Sequence, residues 1–407
     1  MVAIRPFRAL RYHPTLIPNL SEVIAPPYDV IGEEEQEQLY NSSPYNIVRL
    51  ILGKQSPMDT EQDNRYTRAH RDFTTWRTAR ALAQDPTPAL YLIEHTFQDG
   101  GRARIRLGVI ALLEFQDAAG RFVYRHEATL AAPKADRTKL LDAVPANLSP
   151  IFCVYPDEQG LVQRALHEAT RQLKPTATAT LHGEDIRLWA LTDPQIIETM
   201  TRHLASVAVL IADGHHRFEV AYARRRQYGA LMSYFVSMAD PALVVRPIHR
   251  AVLGASTPSR DTLRTLCELE PAADLDSLTA WLQADSSQGR FGYAEGRTLF
   301  RLRIKPERIA QWLMTPAVPR PLATLDVSLL HGLLLPHLSV NGATVRYTPH
   351  ASQAILDVEQ HGSGSAWLLR GIPLAQIYAL ASEGFTLPPK STYFYPKVPS
   401  GLTINPF

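Results

Sequence analysis

The chain has 407 residues, 45% hydrophobic and 20% charged, with a formal net charge of +2, enough for a large core and two to three packed units. That charge is too small for a nucleic-acid footprint, and Cys153 and Cys267, its two cysteines, exclude a disulfide framework or a thiolate metal cluster. No apolar run reaches membrane-spanning length and the first residues lack a secretory apolar segment, so the expected setting is the cytoplasm, without a membrane partner.

Residues 25–31 present Tyr28 and Asp29 from a loop stiffened by Pro26 and Pro27. Tyr28 is a candidate substrate contact; Asp29 is a candidate general base, metal ligand or cap for the acidic helix expected over 33–40. Residues 46–52 read as a short strand whose Arg49 faces solvent at an edge or is paired, with a substrate contact as the alternative. A helix is expected over 64–83, with Tyr66, Phe73, Trp76 and Leu82 on its apolar side. Strands over 90–97 and 105–115 join through the hairpin turn Asp99-Gly100-Gly101, and another strand over 122–125 follows a turn at Ala119 and Gly120. The pattern is a mixed α/β sheet with antiparallel pieces, not a repeated βαβ array.

A second polar cluster follows: His126, Glu127, Thr129, Pro133, Lys134, Asp136, Arg137 and Lys139. No second histidine stands at zinc-protease spacing. Glu127 is a candidate base or magnesium ligand and His126 a candidate substrate contact. Lys134, Asp136 and Arg137 either hold phosphates or form a surface ion pair. Asn147, at the entrance to a buried strand over 151–155, is a candidate metal ligand.

The stretch from Ser206 to Gly229 is the most informative. An uninterrupted apolar run (Val207 to Ile211) reads as a strand buried on both faces. Asp213 and Gly214 then turn into a helix marked by Phe218, Ala221 and Tyr222, which Gly229 can end. His215, His216 and Arg217 thus sit at a helix N-terminus, where backbone N–H groups and the dipole favour an anion and convergent donors favour phosphate. Asp213, His215 and His216 are candidate catalytic groups, and Gly214 and Arg217 candidate phosphate contacts; simple helix capping is the alternative.

Strands over 234–238 and 244–252 follow, and a composition change near Ala255, with Ser256, Pro258 and Ser259, divides a core over 1–255 from a C-terminal α/β subdomain over 256–407. Within the latter, helices around Leu278–Trp281 and over 325–337 and a strand over 298–304 read as structural. The aromatic, proline-rich tail from Pro388 to Leu402 is expected to pack back on the core and lend Lys390, Ser391, Thr392 or Lys397 to a site. Only seven of the 42 basic residues are lysine, and four of those fall in pairs in two polar stretches, Lys134 with Lys139 and Lys390 with Lys397.

The set APPYDVI from Ala25, NIVRL from Asn46, HEAT and PKADR from His126, NLSPIF from Asn147, ADGHHRFE from Ala212 and PPKSTYFYPK from Pro388 resembles the family catalogued as DUF 1015, over nearly the whole chain and in order. Leu387 departs from it, the family more often having methionine there. The ADGHHR segment also resembles the phosphate-binding motif of the ParB and sulfiredoxin superfamily, which includes the free serine kinases that use ADP. That resemblance implies a ParB/sulfiredoxin-like nucleotide-binding core with ADP or ATP as co-substrate.

The leading expectation is a nucleotide-dependent phosphotransferase acting on a small hydroxyl metabolite. Arg217, His215, His216, Lys134 and Arg137 would hold the phosphates, Asp29 or Glu127 would take the acceptor proton, and Glu127 with Asn147 would place the metal. No Walker loop precedes Gly53, Lys54 and Ser56. The alternatives are a ParB-like nucleotide-binding switch without kinase activity and a phosphohydrolase working through the histidine pair. The leading reading requires the polar clusters to converge on the start of one helix.

Overall fold

In a computed structural model, described for residues 1–115, 119–255, 257–314, 318–338 and 343–407, the chain divides into two units. The first comprises residues 1–125, 129–244 and 396–407, and the second residues 126–128 and 245–395. The division falls at Val244 and Val245 rather than at 255, and both chain ends of the first unit come together. Ser256, named above as marking a boundary, lies outside the described residues.

The first unit is built on a mixed sheet of nine strands among the described residues. Along its main path the order is Val123–Tyr124, Val209–Asp213, Ile151–Tyr155, Ala230–Ser237, Arg102–Glu114, Leu90–Asp99, Glu184–Leu191 and Ala177–Leu181, with Ile4–Arg5 pairing beside Arg102–Glu114. Val209–Asp213 runs parallel to Val123–Tyr124 and antiparallel to Ile151–Tyr155, while Ala230–Ser237 runs parallel to Ile151–Tyr155. The four central strands are apolar because both faces are covered. Val209, Ile211, Cys153 and Phe235 pack with Phe218 and Ala221 of the following helix in one core cluster. A second cluster gathers Ile47, Val48, Leu50 and Ile51 around Phe73 and Trp76 of the helix Arg65–Thr78, whose capping box closes on Asn64.

In this unit the helix expected over 64–83 ends at Thr78, leaving Leu82 in the strand Leu82–Gln84, and three further elements differ. Residues 46–52 do not extend: Val48–Ile51 is a single helical turn. Asn46 starts it by accepting from the Val48 amide (2.9 Å) while donating to the Glu22 and Ile24 carbonyls. Burial of Val48, Leu50 and Ile51 together overrides the strand preference of the β-branched run. The strand over 122–125 is only Val123–Tyr124, because the turn before it is the helical turn Ala119–Phe122. The helix after Gly214 breaks at Arg224 into His215–Ala223 and Arg225–Tyr228, and Gly229 then caps the second piece in the left-handed region.

The second unit has a six-stranded antiparallel sheet ordered Cys267–Ala272, Thr298–Ile304, Arg290–Glu295, Gly364–Leu368, His249–Leu253 and Thr344–Thr348. Helices Leu275–Gln283 and Ala351–His361 cover one face, burying Leu278, Leu282, Ala354 and Val358. The single helix expected over 325–337 is three short pieces, with His331 in a π-helical turn, Leu330–Leu334. The tail is shared out: Lys390 to Tyr395 belongs to the second unit, whereas residues 396–407 belong to the first, where Asn405–Pro406 pairs with Ala146–Asn147.

Candidate phosphate-binding site

The strand Val209–Asp213 carries the site of the first unit. Its register against Ile151–Tyr155 shifts between Ile211 and Asp213, so that Asp213 lies opposite Phe152. An irregularity of that kind re-aims a side chain at a strand end. Gly214 follows at φ +94, where a Cβ would come within 2.8 Å of Ile151 Cγ2 and 3.1 Å of Arg217 Nη2. Only glycine meets both the left-handed backbone and the close approach. Gly214 is also the N-cap of His215–Ala223 and brings no side-chain cap to its first turn.

Asp213 gathers two cations, one from four residues further on and one from near the end of the chain. Arg217 donates through Nη2 to Asp213 Oδ2 (2.8 Å) and through Nη1 to the Pro150 carbonyl, and Lys397 Nζ pairs with Asp213 Oδ1. All three side chains are largely buried. Burial raises the Asp213 carboxyl, but Lys397 first, then Arg217 and His215, outweigh it and bring its pKa from 3.8 to about 2. A carboxylate this acidic is a poor proton acceptor at neutral pH. Its part is to fix Arg217 and Lys397 beside the turn, and the trio keeps one surplus positive charge.

Arg217 also lines a cavity of about 60 Å³ with Tyr28, Arg137, Asn147, Ser149 and Leu148. The Arg137 guanidinium lies 3.8 Å from the centre of the Tyr28 ring. Burial raises the Tyr28 phenol, Arg137 opposes it, and the charges of Asp29, Arg217 and Asp213 reach it as well. Tyr28, Asp29, Arg137, Arg217, Asp213 and Lys397, spread over 370 positions of sequence, therefore share one electrostatic neighbourhood.

Other sequence candidates are committed elsewhere. Asp136 is neutralised by Arg137 (Nε 2.7 Å) and Arg65 and accepts from the Tyr66 hydroxyl (2.7 Å). Burial raises its carboxyl, yet Arg137, Tyr66 and Arg65 hold it below the usual range. It orients Arg137 rather than touching an anion. Lys134 pairs with Glu219 (3.1 Å), which also accepts from Thr129 (2.6 Å), so its ammonium is held on the His215–Ala223 helix away from the cavity lining. His216 Nε2 accepts from the Leu130 amide (2.9 Å). That bond fixes the tautomer and ties the histidine to the start of the helix Ala131–Ala143, contrary to a catalytic role for that nitrogen. His215 is buried behind the turn.

Arg49 donates to the Tyr40 (2.9 Å) and Ser43 carbonyls and stacks on the Tyr40 ring, so it is an internal brace and not a substrate contact. Asp29 does not cap the helix Glu33–Ser42, whose N-cap is Gly32. Asn147 Oδ1 accepts from the Met232 amide (3.0 Å) and Asn405 Nδ2 (3.2 Å), which leaves it a structural acceptor rather than a metal ligand. Among the described residues no group of three or more His, Cys, Asp or Glu is arranged to hold a metal ion.

In the second unit the His126 cluster and the tail meet. His126 Nε2 lies 2.9 Å from Thr392 Oγ1, Glu127 Oε1 accepts from the Lys390 amide (3.3 Å), and the Leu387 amide donates to the His126 carbonyl (2.8 Å). Lys390 takes the left-handed conformation (φ +57), unusual for a residue with a Cβ. Ser391 Oγ donates to the Pro388 carbonyl, closing the turn. Sequence reasoning missed the Pro150 carbonyl and Glu219 as partners, because a main-chain acceptor leaves no residue-type signature and Glu219 reads as an ordinary helix-surface acid.

A family model described as "Protein of unknown function (DUF1015)" matches residues 4–328. No curated protein matches the chain. Among solved structures, a conserved hypothetical protein from Pyrococcus furiosus is similar at 14% identity, 73% of this chain, 95% of that chain and a TM-score of 0.34. A free serine kinase in complex with AMP is similar at 13% identity, with 70% and 86% covered and a TM-score of 0.32. SbnI with C-terminal truncation from Staphylococcus aureus is similar at 11% identity, with 73% and 87% covered and a TM-score of 0.36. Overlaps this partial carry no activity across. No described helix is long and apolar enough to cross a membrane.

Proposed function

The chain belongs to the DUF1015 family, and from that premise we propose that it is a nucleotide-dependent phosphotransferase acting on a small hydroxyl metabolite, with its phosphate site at the turn Asp213–Arg217. The observation that carries the reading is the meeting of Arg217 and Lys397 on one ionised carboxylate beside a glycine-capped helix start. Two fixed cations and a helix dipole are the parts that phosphoryl transfer asks of a protein, since the reaction needs charge neutralisation and alignment more than covalent chemistry. The likeness of ADGHHR to the ParB and sulfiredoxin phosphate motif supports a nucleotide, ADP or ATP, as the donor. The cavity beside Arg217 admits a phosphate-sized group and not a nucleoside, so the reading assigns it a phosphate, with the base and sugar outside.

In the transfer, the acceptor hydroxyl oxygen forms the new bond to phosphorus, the bond to the nucleotide's leaving oxygen breaks, and the hydroxyl proton passes to a carboxylate. Asp213 is too acidic for that task, which leaves Asp29, exposed beside Tyr28, as the carboxylate to test. Calorimetric titration with ADP, ATP and CTP, followed by assay of phosphate transfer to serine and a panel of hydroxy acids, tests the reading. Expected are nucleotide binding that falls at least about tenfold in Arg217→Gln and transfer that vanishes in Asp29→Asn with binding intact. Absence of nucleotide binding by the wild-type chain overturns it. A histidine-pair hydrolase is disfavoured by the bond that His216 Nε2 accepts from Leu130.

A further inference from the structure

Arg250, in the interior strand His249–Leu253 of the second unit, is only 1% exposed. Its Nη1 donates to the Ile248 carbonyl, its Nη2 to the Lys390 carbonyl (2.9 Å) and its Nε to His331 Nε2 (3.1 Å). Among the described residues none of these partners is an anion. His331 accepts from it, and His249 Nδ1 accepts from the Leu369 amide (3.1 Å). Burial first, then the Arg250 charge, lowers both imidazoles to about 4, so they are neutral at pH 7. Burial lowers Arg250 itself only to about 10, and it stays a cation. An interior charge without a counter-ion is costly to keep.

The same guanidinium lines a cavity of about 260 Å³ together with Ser286, Thr324, Gln376 and Ser391. The acid on its wall, Asp326, is spent: Arg370 donates to its Oδ2 through Nε (2.9 Å) and Nη2 (2.6 Å), and the Gly289 amide donates to its Oδ1 (2.8 Å). The cavity therefore holds one uncompensated positive charge amid hydroxyl and amide groups. Of the five guanidinium N–H groups of Arg250, three are used. One remains on each terminal nitrogen as a charge-assisted donor for a carboxylate.

We propose that this cavity is a binding site for a small hydroxy-monocarboxylate, its carboxylate on Arg250 and its hydroxyl among the Ser286, Thr324, Gln376 and Ser391 side chains. A monoanion matches the single surplus charge, whereas a phosphate dianion would leave a buried negative charge of its own. The volume of about 260 Å³ leaves room for a molecule of that size.

The full-length chain is titrated calorimetrically with L-lactate, D-glycerate, succinate and inorganic phosphate. Saturable binding of lactate or glycerate is expected, weakened at least about tenfold in Arg250→Gln and in Gln376→Glu, and unchanged in Arg217→Gln. Gln376 is exposed on the helix Leu374–Ser382, so its variant reports on the cavity even if Arg250→Gln fails to fold. The proposal is overturned by no saturable binding of either hydroxy acid, by binding indifferent to Gln376→Glu, by loss of binding in Arg217→Gln, or by phosphate or succinate binding more tightly.

Discussion

Lys397→Met is the most direct perturbation of the Asp213 trio, because methionine keeps the apolar stem and removes only the charge. In the wild type the fall of the Asp213 carboxyl from 3.8 to about 2 is worth about 2 kcal/mol of folding stability. The folded state binds the proton less readily than the unfolded one, so this contribution is complete above about pH 4 and is lost as pH falls through about 2. Without Lys397, the first of the attractive charges, burial is opposed by Arg217 and His215 alone, and the carboxyl returns to the ordinary range or above it. The variant should therefore be less stable by about 2 kcal/mol at pH 7, and the gap to wild type should close between pH 4 and pH 2. Urea denaturation across that range measures the gap, and the ¹³C shift of the Asp213 carboxyl follows its titration directly. A gap that stays constant down to pH 2.5, or an Asp213 titration identical in both proteins, refutes the reasoning.

Gly214→Ala puts a Cβ 2.8 Å from Ile151 Cγ2 in a left-handed backbone; it should cost about 1–3 kcal/mol in chemical denaturation and weaken ADP binding in the same sample. Arg217→Lys keeps the charge but not the fork that reaches both the Pro150 carbonyl and Asp213. It should raise the nucleotide Kd by about tenfold with little change in melting temperature, as read by calorimetry and thermal melts. His249 and His331, at about 4 when folded against 6.5 ordinarily, bind fewer protons folded than unfolded. Their contribution is whole above about pH 6.5 and lost as pH falls toward 4, so His331→Gln should flatten the decline in melting temperature between pH 7 and pH 5.

The strand, turn and helix around Gly214 were legible because their signals are local: an apolar run, an acid–glycine turn and a helical repeat lie within 24 consecutive positions. The hairpin at Gly100 and the helix Arg65–Thr78 were legible for the same reason. Arg49 was not, because a β-branched run reads as a strand until tertiary burial makes a helical turn the better way to hide Val48, Leu50 and Ile51 at once. The partner of Asp213 was only half legible. Scarce lysine drew attention to Lys397, but nothing in a sequence pairs positions 184 apart. Arg250 had no signature at all: an arginine in an apolar strand reads as an edge residue, and only its register beside Gly364–Leu368 and Thr344–Thr348 buries it.

The shared carboxylate explains why two cations can be kept ready for an anion inside a protein. Arg217 and Lys397 alone would repel each other and favour conformations that reach for solvent, and an incoming phosphate would have to order both. Asp213 holds them at the cost of one unit of charge, and it is itself held by the strand irregularity opposite Phe152 and by the Gly214 turn. The strand end and its turn thus fix Asp213 and Arg217, and the chain end brings Lys397. The sheet supplies position and the tail supplies charge. Truncation before Pro396 should then abolish phosphate binding with the Asp213–Arg217 pair still formed, whereas Arg217→Gln should abolish binding with Lys397 still on Asp213. A truncated chain that binds ADP as tightly as the full one would show that Arg217 and the helix start suffice, and that Lys397 serves only to clasp the end of the chain.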